Sequence, residues 1–590
     1  MSTAAANPAN ANNGRRTGWL VAAALSLHAC MLAFEAWHLS PTCLEAAHLA
    51  SGLSHWKLGR YELYCVNPPL VRMVAAVPVS LVGCRLNWGS YETGPGTRPE
   101  YPVGRDFVAV NGVHTLDLIT LARWACIPFS LIGGYTCFRW ARDLYGVPSG
   151  FSALLIWCTF PEVLAHGALI TPDAAASSLG VAAAYGYWRW LRSPNWPRVF
   201  IAGLLLGLTE LSKTSWLFLF GLWPMIWVVS RGRRPVIQLV SILALGLYVL
   251  NLGYGFTGTF QQLAKYRFVS ATLNGITTPK VNPSHHEVGN RFAGSWLGAV
   301  RVPLPKDYVI GLDLQKRDFE NYQDPSYLRG EIRDRGWWYY YLYGLGVKVP
   351  LGIWLIAMLA GLPSPRRGTW GPDMASGLVL LAPPLILFAL VSSQTRFSIH
   401  FRYVLPVFPF AFVWMSQVAT KFQTGPRFAR RMAVAALAWS ILSSLWVFPH
   451  SLSYFNELAG GAFGGNAHML VSSVDWGQDL SDLHRWVRSH TEARPLWIAY
   501  YGGFDPSLVG LDFPPPPACD RNGGCLPKPG WYAVSVNLLR GLPHDGYPQG
   551  AFRHFLRFKP VATAGYSIYI YYIPPETDGT DTVPDNPPPQ

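Results

Sequence analysis

Long apolar runs recur along the 590-residue chain, and they limit its fold more tightly than anything else in the sequence. A helix needs roughly 20 apolar residues to cross about 30 Å of hydrocarbon. Runs near that length fall at 18–38, 117–138, 149–169, 172–191, 198–212, 214–230, 235–254, 344–362, 374–393, 402–420 and 431–449. The fifth and sixth are short and separated only by Glu210-Leu-Ser-Lys213, so they could instead form one bent element. The expected fold is a polytopic α-helical membrane protein with about eleven transmembrane helices.

The arrangement of charge supports the larger count. Arg15/Arg16, Arg139/Arg142, Arg189/Arg192/Arg198, Arg231/Arg233/Arg234, Arg366/Arg367 and Lys421/Arg427/Arg430/Arg431 fall in every second loop. Short basic loops stay in the cytoplasm. That puts the N-terminus inside and the C-terminal segment outside, in a multi-pass protein of the cell inner (plasma) membrane. Only 14% of the residues are charged and the mean hydropathy is +0.18. The net charge of +14 therefore reads as topology and not as a nucleic-acid surface. Residues 1–17 read as a disordered cytoplasmic tail without a cleavable-signal pattern. A transmembrane domain covers 18–449, with outer loops 39–116 and 255–343.

The C-terminal stretch has a different texture. Strand-like runs at 496–501, 531–537 and 566–573 alternate with helical stretches near 479–489 and 549–556, which predicts a small extracytoplasmic α/β domain over 450–573. Residues 574–590, rich in Pro and Asp, read as a disordered tail. Cys519 and Cys525 bracket a Gly-rich outer loop and suit a disulfide. Cys43, Cys65 and Cys84 share the first outer loop and allow one more bridge. No CxxC pair or HxxxH pattern points to a metal, and a requirement for a divalent cation is not decided by the sequence.

Polar chemistry gathers on the outer side. Glu45, His48, His55 and Trp56 recur at helical spacing, as on one stripe of an interfacial helix, and Tyr64-Cys-Val-Asn67-Pro68-Pro69 follows. Glu162 and His166 stand four apart, one above the other on a helix face. A carboxylate within a span is costly unless it is paired or faces a wet cavity. Thr171-Pro172-Asp173 suits a helix start, with Asp173 favoured by the helix dipole. Lys213, Arg396, His400 and Arg402 run against the cytoplasmic bias of the other cations. A phosphate or pyrophosphate near the outer leaflet would account for them, and snorkelling to headgroups is the alternative. The outer loop 255–343 carries His285-His286-Glu287 and ends in an aromatic run after Arg335, read as an interface belt. Asp475 is a candidate cap for the helix after it.

In order, Asn67-Pro68-Pro69-Leu70, Thr171-Pro172-Asp173, Leu211-Ser-Lys213, Gly336-Trp337-Trp338-Tyr339-Tyr340, Arg402-Tyr403-Val-Leu-Pro406, Tyr454-Phe-Asn456-Glu457 and Ser473-Val-Asp475-Trp476-Gly477-Gln478-Asp479-Leu480 resemble the GT-C superfamily of membrane glycosyltransferases. The nearest branch is that of protein O-mannosyltransferase and aminoarabinose-transferase-like bacterial proteins, and the resemblance runs over roughly residues 15–575. It implies a polyprenyl-phosphate-sugar donor, a protein or lipid acceptor at the outer face, inversion, and an acidic base in the first outer loop. It also implies catalytic roles for Glu45 and Asp173 and donor-phosphate contacts from Lys213, Arg396 and Arg402. His48, His55, Asn67, Glu162, His166 and Asp475 complete the candidate site. The family's Asp-Glu pair aligns with Leu44-Glu45, so its Asp position is apolar here. Three outcomes follow: Glu45 serves as base, Asp173 takes over more of that role, or transfer is lost and a lipid-binding assembly protein remains. A secondary transporter is disfavoured, because the sequence shows no internal repeat.

Overall fold

The computed structural model describes residues 8–230, 235–276, 288–322, 324–362, 373–395, 398–421, 427–517, 527–544 and 546–575. Arg396, the pair Cys519 and Cys525, His285-His286-Glu287 and most of the 574–590 tail lie outside them.

Each of the eleven apolar runs falls in helix. The first seven correspond to α1 (Pro8–His38), α5 (His114–Tyr145), the pair α6 (Val147–Thr159) and α7 (Pro161–Gly167), α8 (Asp173–Arg192), α9 (Trp196–Glu210), α10 (Leu219–Val229) and α11 (Val236–Gly253). Between α1 and α5 the chain folds into α2 (Glu45–Leu58), α3 (Leu70–Val82) and α4 (Glu100–Asn111). Helix α1 begins at Pro8, inside the stretch expected to be a disordered tail.

Among the described residues, five helices are long and apolar enough to cross a membrane: Gly14–His38, α5, α11, Met374–Ser393 and Phe401–Thr420. Two bent pairs, α6 with α7 (59°) and Tyr340–Lys348 with Leu351–Gly361 (106°), bring that to seven. The other expected spans fall short for physical reasons. Helix α9 has 15 residues, about 22 Å at 1.5 Å per residue. Helix α8 is rich in Ala, Gly and Ser and is buried almost throughout, so its surroundings are protein and its hydropathy is modest. The 198–230 region is two helices, α9 and α10, and not one bent element.

Small residues bring the helices together. A Cβ on Gly207 of α9 would lie 2.4 Å from Val249 Cβ on α11, so only glycine permits this approach. A Cβ on Gly133 of α5 would lie 2.3 Å from the Trp157 ring of α6.

Helix α2 is not an interfacial amphipathic helix. Glu45 through His55 are all buried, while Trp56 is 52% exposed and donates from Nε1 to Met73 O at 2.8 Å. The expected shared stripe fails because α3 and α4 cover α2 on both sides: a Cβ on Gly52 would meet Arg72 O, and one on Gly104 would meet Ala47 N. Cys43, Cys65 and Cys84 are all thiols, so no disulfide joins them.

After a short hairpin, β1 (Ser326–Leu328) with β2 (Glu331–Arg333), the C-terminal segment forms a four-stranded sheet in the order β3 (Leu496–Ala499), β4 (Gly530–Ser535), β6 (Ile568–Ile573), β5 (Ala562–Ala564). Strands β3 and β4 are parallel, and the other two pairings are antiparallel. The helix Leu480–Ser489 lies where the sequence placed one. Around 549–556 a short 3₁₀ turn, Arg553–Arg557, stands where a helix was expected.

Candidate active site

Glu45 starts α2, and its carboxylate is fully engaged. Arg123, in the first third of α5, clamps both oxygens: Nε to Oε1 at 2.8 Å and Nη2 to Oε2 at 2.5 Å. The Thr42 backbone N–H (2.8 Å) and hydroxyl (3.1 Å) donate to Oε2, and the Ile170 N–H donates to Oε1 at 3.3 Å. Arg123 spends its remaining N–H groups on the carbonyls of Ala36, Leu39 and Ser40. Both side chains are essentially without solvent exposure. The pair therefore ties the end of α1, the start of α2 and the turn before α8 into one knot. Sequence reading missed Arg123, although an arginine inside an apolar run is the signal that finds such a residue.

That turn delivers Asp173, three residues after Ile170, to the first turn of α8. Lys213 Nζ lies 2.6 Å from Asp173 Oδ1, and Arg402 Nη1 lies 3.4 Å from Oδ2. All three are buried. Aromatic rings line the cations: Lys213 Nζ sits 4.8 Å from the Tyr403 ring centre and the Arg402 guanidinium 4.1 Å from that of Trp476. Trp476 was quoted only as part of a motif, and tertiary packing brings it here. The link 40–43 holds its backbone, with Cys43 N–H donating to Trp476 O at 3.1 Å and Ser40 N–H to Gln478 O at 2.9 Å. The Arg402 Nε–H and the Thr171 hydroxyl are buried with no hydrogen-bond partner in the protein, which leaves both able to pair with water or a ligand.

The other candidates surround this centre. His48, one turn beyond Glu45, feels both Arg402 and Asp173. Burial first, then Arg72 and Arg402, pushes its imidazole down to about 3, so it is neutral at ordinary pH. Tyr64 OH lies 3.5 Å from His48 Nε2, and Asn67 Nδ2 donates to the Tyr64 hydroxyl at 3.3 Å. His55 is a scaffold residue. It accepts from Arg72 Nε at 2.8 Å through Nε2, so it is neutral, and its Nδ1–H donates to Arg60 O at 2.7 Å. Glu162 and His166 do meet across one turn of α7 (3.5 Å), and Lys348, which sequence reading passed over, lies 2.9 Å from Glu162.

Asp475 does not cap the helix Leu480–Ser489, whose N-cap position is Asp479. Asp475 accepts from Gly477 N–H at 3.1 Å, and burial pushes its carboxyl well above the usual range. Asp479 instead accepts from the backbone N–H groups of Tyr566 and Ser567, pinning the β5–β6 turn to the bundle side.

No family model and no curated protein matches the chain. Solved structures similar to it include ArnT from Cupriavidus metallidurans bound to undecaprenyl phosphate, at 13% identity and a TM-score of 0.40, covering 94% of this chain and 98% of that one. The apo state of the same protein aligns at 14% identity and a TM-score of 0.37 over the same shares. An Archaeoglobus fulgidus oligosaccharyltransferase tethered with an acceptor peptide containing the NVT sequon aligns at 10% identity and a TM-score of 0.38, covering 88% of this chain and 69% of that one.

Proposed function

We propose that this chain is a glycosyltransferase of the GT-C type that moves a sugar from a polyprenyl-phosphate-sugar donor to a protein or lipid acceptor at the outer face of the membrane, with inversion. The observation that carries the reading is a buried carboxylate, Asp173, held between Lys213 and Arg402 against the rings of Tyr403 and Trp476. Two cations beside unsatisfied buried donors suit a phosphate, Arg as a fork and Lys as a point charge. The aromatic rings suit the face of a sugar.

In this scheme the donor phosphate takes Lys213 and Arg402 and loosens their hold on Asp173. The acceptor oxygen attacks the anomeric carbon, its proton passes to Asp173, and the bond from that carbon to the phosphate oxygen breaks. The charge that builds on the departing polyprenyl phosphate is neutralised by the two cations. Glu45 fixes the geometry through Arg123 and the 168–172 turn, and it does not take the proton. A many-span membrane topology, with basic loops inside and both the site and the C-terminal domain outside, supplies the setting.

The test is to incubate the purified protein in membranes with polyprenyl-phosphate sugars and follow consumption and mass gain by mass spectrometry. Asp173→Asn should abolish transfer per folded molecule, and it should also lower stability because Lys213 and Arg402 lose their buried carboxylate. Transfer at the wild-type rate in that variant would overturn the assignment.

One feature favours a second reading, a non-catalytic protein that binds polyprenyl-phosphate lipids. Leu44 stands where the resembled family has Asp, and its neighbour Glu45 is locked in an ion pair. Donor binding without turnover in the wild type, together with turnover gained by Leu44→Asp, would select it.

A further inference from the structure

We propose that His38, His450 and Asp482 form a binding site for a zinc-type divalent cation that fastens the C-terminal domain to the first and last membrane helices. His38 is the final residue of α1, His450 follows the helix Arg427–Val447, and Asp482 lies in the first turn of Leu480–Ser489. One ligand atom from each lies within 4.8 Å of the others. His38 Nε2 is 3.8 Å from Asp482 Oδ1, and His450 Nδ1 is 3.9 Å from Asp482 Oδ2.

Two imidazole nitrogens and a carboxylate oxygen are a zinc donor set, with bonds of about 2.0–2.2 Å. Ligand atoms around such an ion sit roughly 3.3 Å apart, so side-chain rotations of about an ångström close the site. Asp482 Oδ2 is buried with no hydrogen-bond partner in the protein. His450 Nδ1–H donates to Asp479 Oδ1 at 3.0 Å, so the ion binds as that proton leaves, and Asp479 stays beside it as a further negative charge.

A cation already stands in for the ion. Arg485 Nη2 donates to His38 Nε2 at 2.9 Å and also pairs with Asp482. Accepting that bond leaves His38 Nε2 with the lone pair a metal needs. The Arg485 side chain is 49% exposed, so it can swing into water and give up both ligands. The ion and Arg485 therefore compete for the same atoms. Sequence reading found no metal pattern because the three ligands lie in three separate parts of the chain.

The site adjoins the 40–43 link that holds the Trp476 backbone, so an ion here would stiffen one wall of the candidate active site. It does not depend on the catalytic reading.

The experiment uses the full-length protein, stripped with chelator and titrated with zinc chloride by calorimetry, with X-ray absorption at the zinc edge. The expected result is one zinc per chain with nitrogen and oxygen ligands. His450→Ala and Asp482→Asn should weaken binding by about 100-fold or more, beyond what loss of an outer-shell partner costs. Arg485→Ala should tighten it several-fold, an outcome that no misfolded variant mimics. Unchanged affinity in His450→Ala or Asp482→Asn, or no zinc bound by either the wild type or Arg485→Ala, would overturn the proposal.

Discussion

Replacing Glu45 by Gln separates the two roles open to that carboxylate. As a general base it would be lost with little change in stability, because a base must be free to take a proton. As the partner of Arg123 it is a structural charge. Its loss leaves a guanidinium with almost no solvent exposure, tied to three backbone carbonyls and unable to reach water. Breaking a buried pair by removing one partner costs about 3–5 kcal/mol. The upper half of that range is expected, because the Gln amide must also point its NH2 at either Arg123 or the Thr42 N–H, both of them donors. Equilibrium unfolding in mixed detergent micelles, run as a double-mutant cycle with Arg123→Gln, should give a coupling of at least about 2 kcal/mol. Transfer per folded molecule should fall much less than in Asp173→Asn. Wild-type stability in Glu45→Gln together with complete loss of transfer would refute the reasoning and return the base role to Glu45.

Lys213→Ala should weaken donor binding and destabilise the fold by about 3–5 kcal/mol, since it strips Asp173 of its closest partner; tight binding of a polyprenyl phosphate by this variant would count against the phosphate assignment. Asp307, in the first turn of the helix Lys306–Asn321, has its carboxyl raised to about 6 by burial and then by Glu62. A raised folded value means the folded state binds the proton more tightly than the unfolded one, so stability should rise as pH falls from 7 through about 6 toward the ordinary carboxyl range near 4. Asp307→Asn should flatten that segment of the pH–stability curve, and an unchanged slope would show that another group is responsible. Gly207→Val should drive α9 away from α11, because a Cβ there would lie 2.4 Å from Val249 Cβ; overpacking of this kind costs about 1–3 kcal/mol, readable as a lower apparent Tm.

What the sequence determined by itself rests on local physics. Twenty apolar residues must be helical where no water satisfies the backbone, so the helical runs were legible one by one. The C-terminal strands were readable from β-branched and aromatic runs, apart from β5, an edge strand of three residues. The cations Lys213 and Arg402 stood out because they broke a charge rule, and both converge on Asp173. Tertiary structure alone decided which charges meet. Glu45 and Arg123 are 78 positions apart, and the spacing that placed Glu45 on a stripe with His48, His55 and Trp56 says nothing about what covers that helix. Once α3 and α4 bury α2, Glu45 needs an ion-pair partner, and it finds one in Arg123. The same holds for Trp476, carried to Arg402 by the link at 40–43, and for His38, His450 and Asp482. A one-dimensional period records only a residue's own helix face, whereas desolvation and pairing depend on the elements packed against it.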